Sequence, residues 1–328
     1  MQTIKFSLFL PTGDFAETRA AAEWADAHGF DAVSLNDHFF SPFGSPKAPQ
    51  LECFTTLSAI AAVTRRVRLM PTVTAMSFRH PPMLAKTAST LDQISNGRLV
   101  LGLGAGWQRS EYDAHGYPYP SNVERLDQLR EGIQLIKAMW TQEEPTYRGR
   151  YFSIEKAYNH PRPVQRPHPP IMVGGSGSKL LPITAAEADI ANLIPPIING
   201  KDLLQDPAAA VNFDKRDLKL RIDKLRGLIQ EAGREVGSVA IGGLVLVSLS
   251  RDKAAAAAAL KATASSMGYP SEDAARNSPT LLMGTPQEVK RELRSRLEEL
   301  GMTYYVVFPT SQESRELLAS EVMPAFSS

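Results

Sequence analysis

The sequence has one cysteine, Cys53. A single thiol cannot form an internal disulfide and excludes a cysteine-cluster metal site, and it suits a reducing compartment. Charge of one sign is also missing. The chain carries 36 Lys and Arg against 35 Asp and Glu, a net +1, so nothing electrostatic favours nucleic acid or an anionic membrane surface. No run approaches the roughly 20 apolar residues of a membrane span. The N-terminal apolar stretch, residues 6–10, is interrupted by Ser7 and too short for a secretion signal. It reads as a first strand, and the expected compartment is the cytoplasm. The six histidines, His28, His38, His80, His115, His160 and His168, show no metal-ligand spacing. A metal-dependent barrel hydrolase would have to gather its ligands from separate strands, and no metal site is expected. Neither a G-x-S-x-G nor a Cys/His nucleophile signature is present.

What the chain does have is alternation. Hydrophobic residues make up 43% of its 328 positions, enough for a large core. Short apolar runs at 4–10, 31–35, 67–73, 98–103, 170–174, 189–193, 239–249 and 303–308 read as strands. Segments of helical period lie at 15–28, 54–63, 82–94, 123–140, 178–188, 218–232, 285–300 and 313–325. Eight strand–helix units predict a closed (β/α)8 TIM barrel, one domain over residues 1–328, with an open parallel sheet as the alternative. Thr285-Pro286-Gln287-Glu288 spells a capping box with proline at the first helical position. Gly29 is placed to end the first helix in a left-handed turn. Residues 254–259 are an alanine run, a good helix former. Segments 141–169, 195–215 and 264–283 carry more chain than a minimal unit needs, and predict insertions over the C-terminal face.

Polar residues cluster where strands end, which in a barrel is where chemistry sits. Asn36-Asp37-His38 follows the second strand. His38 is a candidate for proton transfer, with Asp37 or Asn36 setting its tautomer; the plainer reading is an Asp-His pair that closes a turn. Thr72, Val73 and Thr74 end the third strand and can border a planar heterocycle. Arg79 and His80 follow, and with Glu111 they are assigned to the substrate side of the pocket. Gly102, Gly104 and Gly106 lack the context of a dinucleotide fingerprint. Glycines there let backbone approach a flat ligand, and Gly104 and Gly106 are taken as coenzyme contacts. Trp107 can wall the pocket or simply pack. Gly174, Gly175, Ser176 and Gly177 end the fifth strand and open a helix, an amide-rich start suited to a phosphate.

In their order, several motifs resemble a known family. They are Leu35-Asn36-Asp37-His38-Phe39-Phe40, Thr64-Arg65-Arg66-Val67, Pro81-Pro82-Met83-Leu84, Leu91-Asp92-Gln93-Ile94-Ser95-Asn96-Gly97-Arg98, Gly102-Leu103-Gly104-Ala105-Gly106-Trp107, Glu111-Tyr112, Gly116, Pro170-Ile171-Met172-Val173-Gly174-Gly175 and Gly284-Thr285-Pro286. The chain resembles the luciferase-like monooxygenase superfamily, most closely its deazaflavin (coenzyme F420)-dependent oxidoreductases. The resemblance implies FMN or the deazaflavin in the barrel mouth, with His38 beside the reactive ring. It also implies a non-prolyl cis peptide at Thr72-Val73 behind that ring, and the coenzyme phosphate on the loop at 174–177. Trp107 stands where the family's sugar-phosphate dehydrogenases carry a catalytic glutamate, and Pro42 replaces their tryptophan, so glucose 6-phosphate is not the expected substrate. The expected activity is hydride transfer between F420 and a small organic substrate. The alternatives are an FMN-dependent monooxygenase using reduced FMN and O2, served by a flavin reductase, and a non-catalytic flavin-binding protein. A homodimer is the common state of the family.

Overall fold

The computed structural model describes residues 3–42, 44–197 and 207–327. Its strands are β1 (Lys5–Phe9), β2 (Ala32–Leu35), β3 (Arg68–Pro71), β4 (Thr74–Ala75), β5 (Leu101–Gly104), β6 (Tyr147–Arg148), β7 (Ser153–Ile154), β8 (Ile171–Gly174), β9 (Ile190–Asn192), β10 (Ala240–Leu249), β11 (Leu281–Gly284) and β12 (Met302–Pro309). The main sheet runs β3-β2-β1-β12-β10-β9-β8-β5-β4, and every pairing in it is parallel. β3 and β4 are two halves of one strand of the sequence, parted at Thr72-Val73. Joining them closes the ring into the expected eight-position barrel, and a parallel bridge from Leu69 to Leu99 ties the seam.

These strands are near-continuous apolar runs because both faces are buried. Alternation sorts their side chains. Phe6 and Leu8 of β1, and Tyr305 and Val307 of β12, face the surrounding helices. Phe9, Met70, Val100, Met172, Tyr304 and Val306 fill the barrel interior. The lumen is therefore plugged, and a ligand is confined to the mouth.

A ninth strand changes the mouth. The first residues of β10 pair with β9 (Ala240 with Ile190), while its last four pair with β11 (Leu246 with Leu281). β11 thus takes the edge that β9 leaves after Asn192. It comes from the end of the 264–283 segment, expected from the sequence as an insertion over the C-terminal face.

The helices at Phe15–Ala27, Cys53–Val63, Pro81–Ile94, Asn122–Thr141, Lys215–Glu231 and Pro286–Leu300 match the periodic segments within a few residues. The alanine run lies in a helix, Lys253–Met267, that stops at left-handed Gly268. The Thr285–Glu288 capping box is formed. The helix expected from 178 begins only at Leu181, because residues 175–180 form the loop after β8. Short helices at Arg109–His115, Pro207–Val211 and Glu272–Arg276 were not anticipated.

The 141–169 segment differs from expectation in position. It forms the β6–β7 hairpin and lies against helices on the barrel's flank. Buried Glu131 accepts the amide protons of Arg150, Tyr151 and Phe152. Buried Asp92 accepts those of Val164 and Gln165. No residue of the segment lines the mouth cavity.

Candidate active site

The C-terminal ends of the strands enclose a cavity of about 1940 Å³. Phe9, Val73, Leu244, Leu246 and Phe308 floor it, and residues 174–179 and 195–197 form one rim. Of the other two extended segments, 195–215 contributes Pro195, Pro196 and Ile197, and 264–283 contributes Ser266, Met267, Thr280 and Leu281. Residues 198–206 lie outside the described residues.

His38 enters this space from the chain following β2. Its Nδ1 is 2.7 Å from Oε2 of Glu111, and the other oxygen, Oε1, accepts from the Phe39 amide at 2.6 Å and the Phe40 amide at 3.3 Å. Glu111 is fully buried. A carboxylate only accepts, so Nδ1 carries a proton and Nε2 is left to the cavity side. Trp107 meets the imidazole edge-on, with ring centroids 5.6 Å apart. Glu111, placed on the substrate side from sequence, instead orients His38.

Asp37 does not set the tautomer. Its carboxylate pairs with both terminal nitrogens of Arg79, which also reaches Glu52 Oε1 at 2.6 Å and stacks on Phe54. Arg79 is thereby committed to a partly buried ion cluster, in which only Asp37 is fully enclosed, and does not line the cavity. His80 is likewise outside it; it precedes the Pro81 helix and packs edge-on against Phe152. Cys53 lies beneath the cluster, its thiol pushed well above the ordinary range by burial and by the Asp37 and Glu52 charges. It is an inert core residue.

The Thr72-Val73 peptide is cis, at the position the resemblance implied. The glycines around it, which also line the cavity, are required by the protein's own packing. A Cβ on Gly104 would come 2.7 Å from Val73 Cγ2, and one on Gly174 would come 2.9 Å from Val73 Cγ1. Both glycines make room for the Val73 side chain, which rises between β5 and β8 into the cavity floor. Gly106 needs its positive φ of 80° and the space taken by the Tyr112 hydroxyl. Thr74 is wholly buried and is not among the lining residues.

Four of the residues that line this cavity carry a buried polar atom without a partner. Asn36 Nδ2, Thr72 Oγ1, Gln108 Oε1 and Asn192 Oδ1 are buried and unbonded, and all four residues line it. Leaving such a group unpaired costs about 1–3 kcal/mol, so each calls for a ligand or an ordered water. At the rim, Gly175 N–H is bonded to Asn192 O and Ser176 Oγ–H to Ile194 O. Among the described residues the amides of Ser176, Gly177, Ser178 and Lys179 have no acceptor. These loop amides, on a rim that Lys179 also lines, are the donors the cavity offers to an anion. Unpaired groups in the floor, an apolar wall and an anion rim together fit a flat, phosphate-bearing group. No cluster of three potential metal ligands occurs among the described residues.

The structure thus gathers Asp37, His38, Trp107, Glu111, Thr72, Val73, Gly104, Gly106, Gly174, Gly175, Ser176 and Gly177 around one cavity and leaves out Thr74, Arg79 and His80. Gln108, Lys179 and Asn192 also line it. Of these, Asn192 carried a legible signal: a polar residue ending an apolar strand.

Residues 4–197 match the luciferase-like monooxygenase family. An uncharacterised protein of Mycobacterium tuberculosis is 36% identical over 191 residues, 53% of this chain and 66% of that protein. An F420-dependent glucose-6-phosphate dehydrogenase of Nakamurella multipartita is 34% identical over 166 residues, 50% of this chain and 48% of that one. An FMNH2-dependent dimethylsulfone monooxygenase of Pseudomonas putida is 28% identical over 190 residues, 53% and 52%. The match spans about half to two thirds of these curated relatives. Among solved structures, the coenzyme F420 dependent tetrahydromethanopterin reductase from Methanopyrus kandleri has the same fold over 100% of both chains, with a TM-score of 0.78 at 20% identity. The matched segment holds more than half of the chain and carries His38, Glu111 and the glycine rim, and the chain belongs to the luciferase-like monooxygenase family, which includes both F420-dependent and FMN-dependent enzymes.

Proposed function

We propose that the chain is an oxidoreductase that transfers a hydride between coenzyme F420 and a small organic substrate. The observation that carries this reading is the His38–Glu111 pair inside the mouth cavity. Glu111 holds one imidazole nitrogen, and the other is free to give or take a proton beside a bound ring. Such proton transfer contributes about 10²–10⁴-fold to rate.

The deazaflavin, when bound, supplies the hydride chemistry, and the protein supplies orientation and charge control. The amides of Ser176, Gly177 and Ser178 with Lys179 would hold its phosphate. Val73 would support the flat ring from below, and Trp107 with His38 would border the substrate. Trp107 is an apolar wall where a glutamate would be needed to handle a sugar hydroxyl, and Pro42 lies in the same lining. This favours a substrate other than glucose 6-phosphate. The F420-dependent names among the relatives, at 34% identity and similar values, support the choice of coenzyme.

A second reading is an FMN-dependent monooxygenase fed by a flavin reductase, supported by the likeness to the dimethylsulfone enzyme. Titration of purified protein with F420 and with FMN, followed by ring fluorescence, separates the two. Tight F420 binding with weak FMN binding is the expected result. A preference for FMN moves the chain to the monooxygenase reading, and binding of neither overturns both.

A further inference from the structure

Of the unpaired groups in the cavity floor, one has its polarity fixed by the protein. The Gln50 side chain lies on the loop that precedes the Cys53–Val63 helix. Its Nε2 is 3.3 Å from the Leu51 carbonyl oxygen and 2.8 Å from Asn36 Oδ1, while its Oε1 accepts from the Thr12 hydroxyl at 3.1 Å. A backbone carbonyl can only accept, so the Gln50 atom beside Leu51 O is the nitrogen. Thr12 is itself anchored, its carbonyl accepting the Leu51 amide at 2.8 Å. Gln50 therefore offers Asn36 an N–H, and Asn36 answers with its oxygen. The remaining face of the Asn36 amide is then a donor. That donor, Nδ2, is buried without a partner, and Asn36, 4% exposed, lines the cavity two residues before His38.

We propose that Asn36 is a ring-recognition residue, donating from Nδ2 to a carbonyl oxygen of the coenzyme's pyrimidinedione edge, and that Gln50 is the positioning residue that sets its direction. The inference rests on the reading that a flavin-type ring occupies the mouth. FMN and F420 share the pyrimidinedione, so the contact does not depend on which of them binds. The Thr12–Gln50–Asn36 chain runs one way and ends in a donor, so a ligand atom that is itself a donor is rejected there. Asp37, next in sequence, is consumed by Arg79 and cannot take the same role.

The test measures dissociation constants for FMN and for F420 by ring fluorescence, together with the visible absorption band of the bound ring. The proteins compared are the wild type, Asn36→Ala, Asn36→Asp, Gln50→Ala and Gln50→Glu. Loss of one neutral hydrogen bond weakens binding about 3- to 10-fold in Asn36→Ala. Asn36→Asp, nearly isosteric but acceptor-only, weakens it by about tenfold or more and displaces the absorption band. Gln50→Glu leaves the cavity lining untouched yet draws Nδ2 to itself and turns Oδ1 toward the ring, so it weakens binding at least as much as Asn36→Ala. Gln50→Ala, which merely frees the amide, has the smallest effect. Equal dissociation constants and an unmoved band across the series overturn the proposal and assign the site to an ordered water. Near-UV circular dichroism reports folding, and should Asn36→Ala unfold, Gln50→Glu carries the same test from outside the cavity. Wild-type protein that binds neither coenzyme overturns the flavin-type reading and this inference with it, whereas wild-type binding with an unmoved series overturns the inference alone.

Discussion

A buried carboxylate survives only if its lone pairs are used. Glu111 uses them on His38 Nδ1 and the amides of Phe39 and Phe40, so one residue both folds the chain after β2 and fixes the imidazole. Removing the imidazole separates its chemistry from coenzyme binding. His38→Ala is expected to lower turnover about 10²–10⁴-fold while leaving the fluorescence-determined coenzyme affinity within a few-fold; unchanged turnover removes His38 from the reaction. Glu111→Gln tests the tautomer. Its amide oxygen can keep the backbone donors, but its NH2 then faces Nδ1 and forces the proton onto Nε2. Turnover is expected to fall by about 10²-fold with a displaced pH profile, and steady-state rates across pH decide it.

At the level of elements, the floor of the site is a packing problem among three strands. Val73 fits because Gly104 and Gly174 flank it, and Gly102 fits because nothing else can approach Pro71 O; a Cβ there would lie 2.0 Å from that oxygen. Overpacking of this kind costs about 1–3 kcal/mol. Gly102→Ala, facing rigid backbone, belongs at or beyond the upper end. Gly104→Ala meets a side chain, so Val73→Ala in the same protein should restore stability. Urea denaturation of the two single variants and the pair checks this, and absence of rescue would mean that Gly104 is needed for another reason. On the flank, Thr285→Ala removes a formed capping box and should cost about 1 kcal/mol, read in the same experiment.

For the whole molecule, acid sensitivity follows from two partly exposed carboxylates held in ion clusters. Burial by itself would raise the Glu292 carboxyl, but the Arg296 and Lys215 charges outweigh it and hold it below the usual range. Glu52 is also held low: burial opposes, and the Thr55 and Phe54 amides and Arg79 prevail. A folded pKa below the unfolded value near ~4.3 means the unfolded chain binds more protons as pH falls. The stability is complete above that pH and is lost as pH drops through the lower, folded value. Thermal midpoints should therefore hold at neutral pH and fall below about pH 4.3. Glu292→Gln should lower the midpoint at neutral pH and make the acid decline shallower. Fully buried Arg296, the partner of Glu292, also bonds the carbonyls of Ser278, Pro279 and Leu281, which ties this ion pair to the start of β11.

Strand periodicity, the Thr285–Glu288 cap and the polar residues at strand ends are properties of neighbouring residues, and the sequence by itself determined them. From them came the barrel, the face that carries the site, and His38, Trp107 and the glycine rim at 174–177. Partnership across the fold was decided by tertiary structure. Glu111 lies 73 residues from His38, and no local pattern distinguishes it from Asp37, the adjacent carboxylate. Arg79 looked available until the fold set Asp37 and Glu52 beside it. The 141–169 segment reads in the sequence as an insertion over the C-terminal face, but Glu131 and Asp92 on two helices draw its backbone to the flank. β11 is four residues long and is a strand only because β9 vacates the edge it needs. Local spacing sets which elements form and which way their side chains face; which buried charge meets which donor depends on distances that exist only once the ring has closed.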